Sequence, residues 1–302
     1  MFDKLAEILH LAYRQKWAVE QAFDTIKNLF NGGFSLRRIA AGLLAAAELM
    51  GMVIFDTPVT PRGPALDLSG YELVFEDEFN GDALNTEYWH ARANGERRGG
   101  YNADSQITVK DGNLILKGSY LTDGEYGEGW YAGMVALNKK YNKGYFEIRC
   151  KVNDSPDFWS AFWIQADHPY NHELSKGGVG GAELDIFESG VSGSLFPRYS
   201  VSQTIHCNGV DDDVENIDSR ILGDFKGNNI TEEYNTYGLK WTEDEYIFYI
   251  NGVETTRSSF GLGVSQEEEE VIVSLELPGD ISLDHGTSTE FTVDYVKIWQ
   301  TK

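Results

Sequence analysis

Cysteine and basic side chains are scarce in this 302-residue chain. The only two cysteines, Cys150 and Cys207, are too few for a disulfide framework or a four-cysteine zinc site. Lysine and arginine total 25 against 48 acidic residues, which gives a formal net charge of −23. Because such a surface repels phosphate backbones, we exclude nucleic acid as a partner. No internal repeat is visible.

The N-terminal part differs in composition from the rest. Residues 1–70 hold acidic and basic side chains in equal number, so the whole negative excess lies beyond them. Apolar residues at helical spacing predict a short helical extension over residues 1–55. Three interpretations stay open: an appendage packed on the main domain, a membrane-associated or signal-anchor segment, and a cleavable signal peptide, which the late start of the apolar run disfavours. Residues 56–69 are rich in proline and read as a linker.

The segment from Tyr71 onward has the pattern of a β protein. Short runs alternate apolar and polar side chains, and turn residues separate them. The pairs Asp111-Gly112 and Asn251-Gly252 are typical of tight β-hairpins. We therefore predict an antiparallel β-sandwich, or jelly roll, over residues 70–302.

Three carboxylates fall within six residues of one predicted strand, at Glu183, Asp185 and Glu188. Side chains alternate faces along a strand, so Glu183 and Asp185 share a face while Glu188 falls on the opposite one. Burying a lone carboxylate there is unfavourable. A β-bulge near residues 186–187 would return Glu188 to the face of the other two acids.

Acids gathered on one face of a sheet suit glycosidic cleavage. Repulsion and partial desolvation raise the pKa of at least one of them, so one carboxyl keeps its proton while another stays charged. Retaining glycosidases use such a pair. A solvated strand face and a cation site are the alternative interpretations. Nearby, Trp159 and Trp163 lie four residues apart, on one strand face. Their rings suit either sugar binding or a hydrophobic core.

These motifs resemble glycoside hydrolase family 16, in the branch with a bulged E-[IL]-D-x-x-E signature that includes laminarinases and agarases. The resemblance covers about residues 70–300 and includes the signature itself at Glu183–Glu188. The further matching blocks are Phe75–Gly81, Tyr101–Ala103, Asp111–Leu114, Gly144–Arg149, Trp159–Trp163, Thr204–His206 and Val293–Val296.

The resemblance implies a jelly roll with a concave substrate cleft and assigns roles to the acids. Glu183 would be the nucleophile, Glu188 the general acid and then base, and Asp185 the residue that orients the nucleophile and helps set the pKa values of the pair. Further substrate contacts would come from Trp159, Trp163 and His206, the last beside the acid/base. Catalysis would need no cofactor. A structural calcium ion is expected on the convex face, with Glu78, the backbone of Gly112 and Asp294 as candidate ligands.

One late strand departs from the laminarinase pattern. Its stretch Val273–Gly279 lacks the asparagine and paired glycines of an N-L-A-x-G-G-like block and carries Glu276 as an extra carboxylate. We take Glu276 as a candidate substrate contact, together with Arg98 in the basic loop of residues 94–100, and with Tyr101 and Trp130. The acidic domain argues against heavily sulfated polysaccharides, because long-range repulsion would slow their binding.

The function hypothesis is a retaining endo-glycosidase that acts on a β-1,3- or β-1,3-1,4-glucan. The alternatives are an endo-β-galactanase that acts on agar-like or host glycans, a non-catalytic carbohydrate-binding jelly roll, and a membrane or partner role for residues 1–55 with the sandwich as passenger. A polysaccharide is the expected partner. Because such polymers do not enter cells, we expect an extracellular or cell-surface protein, and a monomer.

Overall fold

This computed structural model shows two β-sheets with a core of side chains between them. The described residues are 63–155, 157–167, 180–190, 200–206, 219–226, 230–259 and 263–302. The predicted helical extension at 1–55, residues 56–62 of the predicted linker, and Cys207 lie outside them. Apart from Lys226, the described residues belong to one unit, Val59–Phe225 with Ile230–Lys302. Within these ranges, no helix has the length and apolar character that crossing a bilayer requires.

In chain order, the described strands are β1 (Tyr71–Asp77), β2 (Trp89–Ala91), β3 (Gly95–Arg97), β4 (Gly100–Asn102), β5 (Ile107–Lys110), β6 (Asn113–Leu121), β7 (Gly129–Ala132), β8 (Met134–Leu137), β9 (Gly144–Lys151), β10 (Trp159–Gln165), β11 (Glu183–Ser189), β12 (Ser200–His206), β13 (Ser219–Lys226), β14 (Asn235–Trp241), β15 (Tyr246–Ile250), β16 (Val253–Ser258), β17 (Glu270–Glu276) and β18 (Ser288–Thr301). One 3₁₀ turn covers Asp104–Gln106.

The strands form an 11-stranded and a 7-stranded sheet. The larger sheet runs β16-β15-β14-β9-β18-β6-β7-β4-β3, with β1 paired to β18 and β5 paired to β6. Its pairs are antiparallel except for β4 with β7. The smaller sheet runs β13-β12-β11-β10-β17-β8-β2. This architecture confirms the prediction of an all-β, largely antiparallel sandwich.

Both predicted hairpin turns are present. Asp111 and Gly112 have φ angles of 52° and 73° between β5 and β6, and Asn251 and Gly252 have 50° and 73° between β15 and β16. Positive φ at both central residues matches the right-handed twist of the flanking strands, and Asn, Asp and Gly tolerate that conformation best.

The main core lies between the two sheets. Phe187 of the smaller sheet stacks on Tyr237 of the larger one, with ring centroids 4.2 Å apart. Cys150 lies in this core as a free, buried thiol. A second, smaller apolar cluster lies on the opposite face of the smaller sheet; its members are Met134, Ala136, Ala161, Trp163, Ile272 and the partly buried Trp159. We call this opposite face the outer face.

Candidate active site

The predicted β-bulge is present in β11. Asp185 pairs with Thr204 of β12, but the next pair joins Glu188 to Ser202. Strand β11 therefore advances three residues while β12 advances two. The pairing with β10 shifts at the same place. One extra residue within 186–187 is a β-bulge. It moves each later side chain of β11 to the face opposite the one it would occupy in a regular strand.

The bulge sends consecutive apolar side chains into the main core. Ile186 and Phe187 are both fully buried there. Glu188 thus returns to the outer face, where it lies with Glu183 and Asp185, as predicted. Asp185 is buried, whereas the two glutamates are half-buried. The three acids occupy one face of one strand, with an aspartate between two glutamates.

Asp185 is paired with a histidine on the adjacent strand. His206 Nε2 lies 3.1 Å from Asp185 Oδ2. Burial raises the pKa of Asp185 to about 6, although the bond to His206 opposes that rise. Burial alone would lower the pKa of His206, but Asp185 and the neighbouring glutamates outweigh it and raise the pKa. The predicted place of His206 is beside the acid/base Glu188; its hydrogen bond is to the central aspartate, and its charge also acts on Glu188.

Ionisation of Glu188 is more strongly disfavoured than that of Asp185. Burial is the main cause and the charge of Asp185 the second, and together they raise the pKa of Glu188 to about 8. The indole Nε1 of Trp159 donates a hydrogen bond to Glu188 Oε1 at 3.1 Å and partly opposes the rise. Glu188 is therefore largely protonated at neutral pH, which a general acid requires.

Glu183 is held by residues that the sequence did not single out. Gln165 Nε2 donates a hydrogen bond to Glu183 Oε2. The same amide accepts at Oε1 from Arg92 Nη2 at 2.8 Å. Arg92 Nε also donates to Glu270 Oε2 at 2.7 Å. Gln165 was detectable, since it lies two residues beyond Trp163 on the same strand face, but the contact from Arg92 spans distant parts of the chain.

Both predicted tryptophans lie on the outer face, and an arginine lies over each ring. Trp163 Nε1 donates to Ser274 Oγ at 3.0 Å, and the Arg92 guanidinium lies 5.0 Å from the ring centroid. The Arg98 guanidinium lies 4.9 Å from the ring centroid of Trp159. These cation–π contacts place positive charge beside the three acids.

Glu276 lies directly opposite Trp159 in the β10–β17 pairing. Its Oε2 atom accepts from Arg97 Nη2 at 2.8 Å and from Arg98 Nη1 at 2.6 Å. The Oε1 atom is buried and has no hydrogen-bond partner among the described residues. Glu276 and Arg98, both predicted from sequence, are therefore brought together at the acid/base end of the site; Arg97 was not predicted.

Two predicted contacts lie elsewhere. Trp130 is only 6% exposed and belongs to the main core, where its ring packs edge-on against Phe158. Its prediction as a substrate contact is therefore not supported, because the ring is enclosed between the sheets. Tyr101 lies on β4 of the larger sheet, and its ring centroid is 5.0 Å from that of Tyr131 and 5.9 Å from that of Tyr126.

One group of potential metal ligands occurs among the described residues. Donor atoms of Glu183, Asp185 and His206 lie within 4.8 Å of one another. Asp185 is already paired with His206, and Glu183 accepts a hydrogen bond from Gln165, so we assign no metal there.

The predicted calcium ligands do not form a fitting site. Lys297 Nζ lies 2.9 Å from Glu78 Oε1, and Arg149 donates a hydrogen bond to Asp294. Each carboxylate is thus neutralised by a basic side chain of the larger sheet, which disfavours a cation at the same oxygens.

The fold and the three acids together define a β-sandwich of the glycoside hydrolase type. The fold is similar to that of SCLam, described as a non-specific endo-β-1,3(4)-glucanase from family GH16. The TM-score is 0.65 at 20% identity, with 81% of this chain and 97% of the other covered. A sequence model described as the GH16 domain of β-porphyranases A–D matches residues 73–301. The chain belongs to glycoside hydrolase family 16 (GH16).

Two curated relatives illustrate the range of this family. Glucan endo-1,3-β-glucosidase A1 of Niallia circulans is 27% identical over 220 residues, which is 64% of this chain and 30% of that protein. β-Porphyranase B of Phocaeicola plebeius is 32% identical over 150 residues, which is 42% of this chain and 46% of that protein. The matches therefore span less than half of either relative.

Proposed function

We propose that this chain is a retaining endo-acting β-glycosidase. The observation that supports it best is the β11 bulge, which gathers two glutamates around Asp185 on one face while leaving Glu188 protonated at neutral pH. In the first step, a Glu183 oxygen bonds to the anomeric carbon as the bond to the leaving oxygen breaks, and Glu188 gives its proton to that oxygen. In the second step, water loses a proton to Glu188 and displaces Glu183.

Asp185 and His206 support these proton transfers by Glu188. Asp185 is one of the causes of the raised pKa of Glu188, and His206 opposes it. The Asp185–His206 contact thus limits the negative charge beside Glu188. We assign Asp185 to orienting the nucleophile and His206 to holding Asp185.

A β-1,3- or β-1,3-1,4-glucan is the first substrate candidate, supported by the names of the Niallia circulans relative and of SCLam. A β-linked galactan is the second, and the match to the β-porphyranase domain favours it. Sugar rings would lie against the exposed parts of Trp159 and Trp163, and Glu276 Oε1 would accept a sugar hydroxyl. We keep Tyr101 as a contact for a distal sugar. A polymeric substrate favours an extracellular or cell-surface location and requires no partner subunit.

The experiment compares the wild-type chain with Glu183→Ala, Glu188→Ala and Glu183→Gln on laminarin, lichenan, agarose and porphyran. Product sizing distinguishes endo cleavage, and proton NMR of the first-formed anomer distinguishes retention from inversion. We expect Glu188→Ala to lose about 10²–10⁴-fold in rate. Azide should then rescue Glu188→Ala as a β-glycosyl azide and Glu183→Ala as an α-glycosyl azide.

Two results would contradict the proposal. Full-rate cleavage by Glu183→Gln would exclude Glu183 as the nucleophile. Binding of one polysaccharide by the wild type with no cleavage of any would favour the non-catalytic carbohydrate-binding alternative. The control is Arg149→Met, which breaks an arginine–carboxylate pair on the larger sheet and should leave the activity intact.

A further inference from the structure

Two arginine–glutamate pairs flank the three acids, one at each end of β17. At one end, Arg92 Nε lies 2.7 Å from Glu270 Oε2. At the other end, Arg98 Nη1 lies 2.6 Å from Glu276 Oε2. Because cross-strand partners share a face, both glutamates point to the outer face, opposite Gln165 and Trp159 of β10.

The first pair reaches the proposed nucleophile through an amide. Arg92 donates to Gln165 Oε1, which leaves the Nε2 end of the amide directed at Glu183. Because a guanidinium can only donate, the contact from Arg92 fixes the oxygen end of the amide and keeps the Nε2 end turned toward Glu183. Arg92 is itself anchored, because its backbone N–H donates to the carbonyl of Met134 at 2.9 Å.

The second pair reaches the proposed acid/base through an indole. Arg98 stacks on Trp159, whose Nε1 donates to Glu188. The backbone of Arg98 has a φ of 48°, a left-handed conformation that surrounding contacts must hold in place. The next residue provides such a contact: the N–H of Gly99 donates to the carbonyl of Pro278 at 3.0 Å.

We propose that Arg92 and Arg98 are paired positioning residues, one for each catalytic glutamate, with Arg92 acting on Glu183 through Gln165 and Arg98 acting on Glu188 through Trp159. The proposal rests on the proposed glycosidase function. It goes beyond that function because neither arginine touches a catalytic carboxylate. It also explains why both tryptophan rings carry a guanidinium in a strongly acidic chain.

Arg98 should act on the pH profile, because the pKa of Glu188, the glutamate on which it acts, is raised. Glu183 faces Asp185 and His206. Glu188 is influenced by the same two residues and by Glu183. None of these groups changes when either arginine is replaced. Losing the contact from Arg92 should slow cleavage by displacing the Gln165 amide and with it Glu183, without moving the alkaline limb. Losing the indole donor raises the pKa of Glu188 further, so the alkaline limb should move to higher pH instead.

The experiment uses Arg92→Met, Arg92→Lys, Arg98→Met and Arg98→Lys in the full chain. The control Arg149→Met breaks a matched pair in which the guanidinium lies over Tyr234, at 4.6 Å from its ring centroid. Activity is measured on whichever of laminarin, lichenan, agarose and porphyran the wild type cleaves. Each Met variant should lose about 10–100-fold in kcat, the value of one oriented hydrogen bond to a charged group, with a smaller change in KM. The Lys variants should recover part of the loss.

An NMR titration tests the contacts independently of activity. The indole N–H resonance of Trp159 should follow the ionisation of Glu188, with a midpoint that rises in Arg98→Met and not in Arg92→Met. The side-chain amide resonances of Gln165 should change in Arg92→Met alone. If these changes are seen but the wild type has no glycosidase activity, the contacts are supported and only the proposed function is refuted. Three results together would overturn the inference: an unchanged alkaline limb and Trp159 midpoint in Arg98→Met, unchanged Gln165 amide resonances in Arg92→Met, and losses of kcat in both variants no larger than in Arg149→Met.

Discussion

A buried carboxyl next to β11 makes stability depend on pH. Glu269 is 0% exposed. Its Oε1 atom accepts from the backbone N–H of Ala182 at 2.9 Å and from Ser265 Oγ at 2.5 Å, while Oε2 has no partner among the described residues. Burial raises the pKa of Glu269 to about 8. The folded protein therefore holds this group neutral at pH 7, where it is bonded to Ala182, the residue immediately before the strand that carries Glu183.

The direction of the pH effect follows from the raised pKa. The unfolded chain ionises Glu269 near the ordinary pKa of 4.5, whereas the folded chain holds the proton until about pH 8. The neutral form favours the fold, so its contribution is complete below pH 4.5 and is lost as the pH rises toward 8. At 1.36 kcal/mol for each pH unit, the loss by pH 8 is on the order of 4 kcal/mol. Glu269→Gln, which is neutral at every pH and keeps the Oε1 acceptor, should avoid it.

The assay is thermal and urea unfolding of wild type and Glu269→Gln between pH 4 and pH 8.5. We expect equal stability near pH 4 and a variant that melts about 10 °C higher at pH 8. The control Glu243→Gln removes an exposed carboxylate that pairs with Lys143 and should change stability by less than about 0.5 kcal/mol. A stability difference between Glu269→Gln and wild type that is the same at both pH values, or a variant that is weaker at pH 8, would refute the reasoning.

Three further predictions test other parts of the site and core. His206→Asn removes a group that lowers the pKa values of Asp185 and Glu188. The alkaline limb of the pH–activity profile should therefore move to higher pH, and kcat/KM should fall about 10–100-fold in steady-state assays. Gly99→Ala places a Cβ 2.4 Å from the carbonyl oxygen of Gly279, so it should lower stability by about 1–3 kcal/mol in urea unfolding and reduce kcat. Trp130→Ala should lower stability by about 3–5 kcal/mol and leave KM unchanged, because the ring lies in the core.

The parts predictable from sequence were those set by local periodicity. The sandwich followed from alternation, and the hairpins followed from residues that tolerate positive φ. The bulge followed from counting residues along the strand. Glu188 is an odd number of steps from Glu183, so a regular strand would have turned it into the core. The sequence could also place Trp159 and Trp163 on one face, because four residues are an even number of strand steps.

The parts not predictable were contacts between distant segments. Arg92 and Glu270 are 178 residues apart, and Arg97 and Glu276 are 179 apart, so no local pattern relates them. Trp130 was misjudged because three residues of its strand, Trp130–Ala132, are all buried, which leaves no alternation to distinguish a core ring from a surface ring. The calcium site was not supported for a similar reason. The pairing of Glu78 with Lys297 depends on how β18 lies beside β1, which no local pattern reveals.

The raised pKa of Glu188 arises from its position and not from its residue type. The bulge brings Glu188 to the outer face beside Trp159 and a buried Asp185, where desolvation keeps the proton in place. Glu183, on the near side of the bulge, accepts a hydrogen bond from the Gln165 amide, which fixes the position of its carboxylate. A strand without the extra residue would place the acid in the core, where no substrate oxygen could take its proton. The irregular step in β11 is therefore what brings the proposed nucleophile and the proposed acid of one short sequence to the same face.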